Sequence, residues 1–89
     1  MQKFKCEMAR AAYEMRFARG IPKHVSIKAH KTIRVLIAAR DLQDVGVLGR
    51  IVRWREAPER YGLTIDGKWH VLFEWSEDFG AYEISLERC

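Results

Sequence analysis

No apolar run in the chain approaches the roughly 18 residues that a membrane-crossing helix needs. The opening residues MQKFKCEMAR carry no apolar signal segment, so a cytoplasmic protein is expected. Cysteine is scarce: Cys6 and Cys89 are the only two in 89 residues, and neither has a partner at zinc-ligand spacing. His24 and His30 stand six apart, on different faces of a helix, and no metal or other cofactor is expected. Proline is limited to Pro22 and Pro58. With no linker-like stretch and no internal repeat, the length supports one domain, 1–89. GxSxG, Walker, HExxH and glycine-rich dinucleotide patterns are all missing, which sets those enzyme classes aside. A domain of this size has little room for both a core and a deep pocket, so its working site is expected on an open surface.

Negative charge is also missing where it would balance the chain. Between Met15 and Arg40 there is no carboxylate, yet Arg16, Arg19, Lys23, Lys28, Lys31, Arg34 and Arg40 fall there. Residues 1–60 hold 14 basic and 6 acidic side chains, and residues 61–89 hold 2 and 6. A field this lopsided attracts polyanions or an acidic protein, although a solvated helix face that keeps the chain soluble would look the same.

Periodicity divides the chain into two halves. Lys3 to Cys6 alternates like a short strand. Ala9, Ala12, Tyr13 and Phe17 then recur at helical spacing, with Gly20 as the expected left-handed cap. Pro22 suits the first turn of a second helix, in which Val25, Ala29, Ile33, Leu36 and Ile37 step by three or four to about Arg40. Asp41 to Gly49 is turn-prone and reads as a connection. Strand-like alternation follows around Ile51, over Tyr61–Ile65, Trp69–Trp75 and Ala81–Leu86. The order predicts an α+β fold: a short N-terminal strand, two helices, then an antiparallel sheet of three or four strands packed on the helices.

Asp66-Gly67 marks a hairpin. A three-residue loop with a glycine bulge puts Tyr61, Leu63 and Ile65 on one face with Trp69, Val71, Phe73 and Trp75. That face is the expected core. Arg60, Thr64, His70 and Glu74 fall on the other, with Leu72 as the apolar exception. Tyr82 shares parity with Ile84 and Leu86, which predicts burial. Trp54, between Arg53 and Arg55, is a candidate for stacking on a nucleobase.

The candidate chemistry lies on the polar face. Arg50, Arg53, Arg55 and Arg60 gather before or inside the sheet, and cations of this kind bind phosphates. His70 is a candidate base or acid, since an imidazole can take up or give a proton. Cleavage of RNA by its own 2′-hydroxyl needs a base, cations for the phosphorane and an acid for the leaving oxygen. A surface histidine without a role is the plainer reading of the same residue.

Arg19-Gly20-Ile21-Pro22, Leu42-Gln43-Asp44, Leu48-Gly49 and above all the block Tyr61 to Trp75, YGLTIDGKWHVLFEW, resemble the HigB toxins. These form the "killer protein" branch of the RelE/ParE superfamily of bacterial toxin–antitoxin systems. The resemblance spans nearly the whole chain. It implies a RelE-like fold and a metal-independent, ribosome-dependent endoribonuclease that cuts messenger RNA in the A site. The partners it implies are the ribosome, mRNA and a cognate antitoxin encoded by an adjacent gene. Where the family usually has Arg after its signature Trp, this chain has His70, and Arg55 and Arg60 stand nearest the family's basic stretch. The family's closing Tyr and His have no counterpart in Ser85-Leu86-Glu87-Arg88-Cys89. The expected catalytic residues are therefore His70, Arg60 and Arg88, and the expected RNA-binding residues are Arg50, Arg53, Trp54, Arg55, Lys68, Lys28 and Lys31. Two alternatives keep the scaffold: a ParE-like toxin that acts on DNA gyrase without being a nuclease, and a catalytically inactive RNA- or protein-binding module.

Overall fold

Helix formation in the first half follows the apolar spacing, and the ends are set by local turns. The computed structural model describes residues 3–16, 19–46, 51–54, 56 and 59–88. Helix α1 covers Glu7–Tyr13 and α2 covers Lys23–Ala38. α1 stops short of the expected length: Met15 has φ 62°, a left-handed turn that no helix continues through. Phe17, the last of its expected apolar positions, lies outside the described residues, as do Leu48-Gly49, Pro58 and Cys89. Gly20 is left-handed (φ 84°), yet it turns the chain toward α2 and does not cap α1. Pro22 stands just before α2, not inside its first turn. Its carbonyl accepts from the N–H groups of Val25 (3.0 Å) and Ser26 (3.1 Å). Val25, Ala29, Ile33 and Leu36 are fully buried and Ile37 is half-buried. The stretch expected as a connection contains a one-turn helix, α3 (Leu42–Val45). Asp41 starts it, its carboxylate accepting from the Asp44 N–H at 3.0 Å, which satisfies a donor that a helix start leaves without a partner.

The second half is an antiparallel meander of four strands in chain order: β1 (Ile51–Arg53), β2 (Tyr61–Asp66), β3 (Trp69–Ser76) and β4 (Gly80–Arg88). The protein is thus α+β. The expected N-terminal strand reduces to one parallel bridge, Phe4 to Ile84, held by Lys5 N–H to Ile84 O (2.8 Å) and Ile84 N–H to Lys3 O (2.9 Å). It lies on the free edge of β4. Among the described residues no helix is long and apolar enough to cross a membrane.

Two bulges fix which side chains share a face. Across β2 and β3, Tyr61 pairs with Phe73, Leu63 with Val71 and Thr64 with His70, the register expected from the hydrophobic pattern. The extra residue is Ile65, before Asp66 pairs with Trp69, so the bulge sits on β2; Gly67 (φ 46°) makes the turn beyond it. Across β3 and β4, Leu72 pairs with Ser85 but Glu74 pairs with Tyr82. Phe73 therefore faces two residues, Glu83 and Ile84, and Glu83 takes φ 52°. This second bulge reverses the parity of Tyr82. It leaves the face of Ile84 and Leu86 and joins Glu74, against the expectation of burial.

The helices cover one sheet face. Leu63, Val71, Phe73, Ala81, Ile84 and Leu86 pack there against Ala9, Ala12, Ile21, Val25, Ala29, Ile33 and Leu36. Tyr61 stacks on Phe73 at 5.6 Å. Trp69 and Trp75 pack partly buried against the same core, as their alternation predicts. Burying apolar surface at about 25 cal/mol per Å² is the main stabilising contribution on this side.

Candidate functional site

Alternation sends a second set of side chains to the uncovered face. Register puts Thr64, His70 and Glu87 in one row across β2, β3 and β4, and Gly62, Leu72 and Ser85 in the next. Arg60 precedes β2, and its carbonyl accepts from the Trp54 N–H at 2.9 Å, which extends the β1–β2 ladder. Glu74 and Tyr82 pair at the far end.

His70 is the centre of the upper row. Its Nδ1 lies 3.1 Å from Thr64 Oγ1, and its ring lies 5.2 Å from that of Trp54, tilted by 57°. Nε2 has no hydrogen-bond partner among the described residues. The indole of Trp54 reaches the sheet because residue 62 is glycine. A Cβ at Gly62 would stand 2.9 Å from Trp54 Cε3 and 3.1 Å from Leu72 Cδ2. Trp54 is accordingly half-buried, and Leu72, the apolar exception, is only 1% exposed.

Arg60 is 4% exposed, which is unusual for a charged side chain. Its Nη2 donates to Glu83 O at 2.6 Å and to Ser85 Oγ at 3.0 Å. The Ser85 hydroxyl in turn donates to Glu87 Oε2 at 3.1 Å. Arg60 thus holds the β4 bulge by its free carbonyl and reaches Glu87, the cross-strand neighbour of His70, through one hydroxyl. Its Nε has no partner among the described residues. Burial and these two bonds place the guanidinium of Arg60, one of the expected catalytic residues, as a brace on β4.

Arg88 is exposed and pairs with Trp69, while Glu87 pairs with His70, so alternation puts Glu87 and not Arg88 on the face of the histidine. Arg53 lies at the sheet edge, its guanidinium 5.0 Å over the Tyr61 ring and Nη2 3.3 Å from the Tyr61 hydroxyl. Lys68 is exposed in the β2–β3 turn. Lys28 and Lys31 lie on α2, bordering a cleft with Thr32, Leu63, Thr64 and Ile65. Of the expected set, the structure brings Trp54, Arg60 and His70 together. Arg50 and Arg55 lie outside the described residues.

Glu87, Ser85, Thr64 and Tyr82 complete the face and were not among the expected site residues. The alternation of Ser85 and Glu87 with Ile84 and Leu86 carried the signal for two of them. Tyr82 was hidden by the bulge. Its hydroxyl donates to Glu74 Oε1 at 3.5 Å, and partial desolvation with the Glu74 charge raises its pKa above the ordinary 10.0. Among the described residues no three His, Cys, Asp or Glu side chains gather as a metal would require. Comparison with family models and with curated proteins gives no match for the chain.

Proposed function

We propose that the chain is a HigB-like toxin of the RelE/ParE superfamily, an mRNA endonuclease that works on the ribosome with the uncovered sheet face toward RNA. The observation that carries this reading is the environment of His70. Thr64 holds Nδ1 at 3.1 Å and leaves Nε2 free, among the described residues, to face a substrate. Holding one ring nitrogen orients the ring, and when Nδ1–H donates to Thr64 Oγ1 the other nitrogen is the base that proton transfer requires. In the reaction His70 takes the proton of a 2′-hydroxyl, whose oxygen attacks the adjacent phosphorus as the bond to the 5′-oxygen breaks. That oxygen leaves with a proton from solvent or from a protonated acid, and the other end keeps a cyclic phosphate. Trp54 and the half-exposed Tyr82 offer aromatic edges to bases. Lys68 offers charge to phosphates at the rim. The RelE-like assignment rests on the block from Tyr61 to Trp75 together with the α+β meander, and the cognate antitoxin and the ribosome are its partners.

A second reading, a binding module on the same scaffold, is favoured by the loss of two cations from the site. Arg60 is bonded to Glu83 and Ser85, and Arg88 pairs with Trp69, out of the row of His70. Expression of the protein alone in a bacterial host, with mapping of messenger 5′ ends, separates the two. Growth arrest with new cuts in codons at the A site, relieved by the adjacent gene and lost in His70→Ala, is the expected outcome. Arrest without cuts moves DNA gyrase or another target to the front, and unimpaired growth favours the binding module.

A further inference from the structure

The outward face of α2 carries its own pattern. Lys28, Lys31, Arg34 and Ala38 are exposed, and Val35 is half-buried between them. At the start of the helix, His24 Nε2 meets Asp66 Oδ2 at 2.6 Å. Beyond that pair, Lys28, Lys31 and Arg34 have no carboxylate within ion-pair distance among the described residues. Two clefts meet at Lys31. One, of about 220 Å³, lies between α2 and β2 and is bordered by Lys28, Thr32, Leu63, Thr64 and Ile65. The other, of about 370 Å³, is formed by Lys31, Arg34, Val35 and Ala38.

We propose that this face of α2 is a docking surface for an acidic peptide segment of a partner protein, anchored by small apolar side chains in the two clefts. Charge complementarity sets the sign of the partner. A helix face with three unpaired cations and no acid attracts a run of carboxylates and speeds its encounter. The apolar floor decides between peptide and nucleic acid. Val35, Ala38 and Ile65 bury apolar side chains of a peptide, whereas a sugar-phosphate backbone has nothing to place on them. The face also has no aromatic side chain on which a base could stack. Recognition of this kind follows the pattern of a segment laid in a groove, with regularly spaced anchors. The proposal does not depend on whether His70 cuts RNA.

The test uses fluorescence anisotropy of the whole chain with two labelled probes, a peptide of repeated Glu-Glu-Leu units and an oligouridylate. The wild-type chain is expected to bind the peptide in a salt-dependent manner. Arg34→Glu combined with Ala38→Glu should weaken the peptide by about tenfold or more, because like charges then face each other, while oligouridylate binding changes by less than about twofold. Val35→Asp should weaken the peptide as well. All three positions lie on the outer face of α2, and an unchanged urea midpoint verifies folding. A peptide of glutamate alone should bind more weakly than the leucine-containing one. The proposal is overturned by no peptide binding to the wild-type chain, by unchanged peptide affinity in the charge-reversed variant, or by equal affinity for the leucine-free peptide. A parallel loss of oligouridylate overturns it in favour of a nucleic-acid surface.

Discussion

On the helix side of the sheet, Phe73, Ile84 and Leu86 are fully buried against α1 and α2. On the other side, Trp54 lies flat enough to need a glycine beneath it, and a buried arginine ties two strands together. Both sides bury surface, but by different means. The helix side gains from apolar area, which tolerates some rearrangement of shape. The open side gains from a few specific bonds and one close contact, which do not. The same strand alternation builds both, so each residue of β3 serves one side only, and His70 can be changed without touching Phe73.

Breaking the helix side should cost most. Phe73→Ala removes a fully buried aromatic ring from under α2 and should lower unfolding free energy by about 3–5 kcal/mol, read from the urea midpoint. In a domain of this size that approaches the whole stability. The open side gives way next. Arg60→Ala leaves Glu83 O and Ser85 Oγ without their donor and should cost about 2–3 kcal/mol. It should also raise hydrogen exchange in β4 at the bulge more than in β1. A smaller value with unchanged exchange would mean that the bulge holds without its brace. Gly62→Ala sharpens the comparison further. In an ordinary strand this change is mildly stabilising, but here the new Cβ would meet the Trp54 ring at 2.9 Å. A loss of about 1–2 kcal/mol is expected, with a shift of Trp54 fluorescence toward the exposed form.

The difference between the two sides also explains what the sequence disclosed. Val25, Ala29, Ile33 and Leu36 step at helical spacing, and Leu63, Val71 and Phe73 alternate, because packing against a flat layer demands those periods. The hairpin register followed from the same demand. The open side has no such period. The bulge at Glu83 turns one residue out of step, and nothing in Tyr82-Glu83-Ile84 marks it beforehand. Arg60 looked like an exposed cation because its acceptors, the Glu83 carbonyl and the Ser85 hydroxyl, lie more than twenty residues away. Arg88 follows Ile84 and Leu86 at steps of two with no bulge between them, so the alternation already gave it their face. Sites built from tertiary bonds are read poorly from spacing, and His70 with Thr64 was legible only because one hairpin holds both.

A last contrast sets Arg60 beside a second arginine that has what Arg60 lacks. Arg16 Nη2 lies 2.9 Å from Glu7 Oε1 and 2.7 Å from Glu14 Oε1, and all three side chains are exposed. The hydrogen bond from Arg16 holds the Glu7 carboxyl below its ordinary value of 4.5 and raises Arg16 itself. A group whose pKa is lowered by folding contributes stability above its unfolded value and loses it as pH falls through the folded one. The contribution of Glu7 is therefore present above about pH 4.5 and disappears in acid. Water screens the pair, so Arg16→Gln should shift the urea midpoint by far less than Arg60→Ala, and less again at high salt. The small shift should shrink progressively as the titration is repeated at pH values below about 4.5. An Arg16 effect as large as that of Arg60, or one that persists in acid, would mean that burial is not what separates these two arginines.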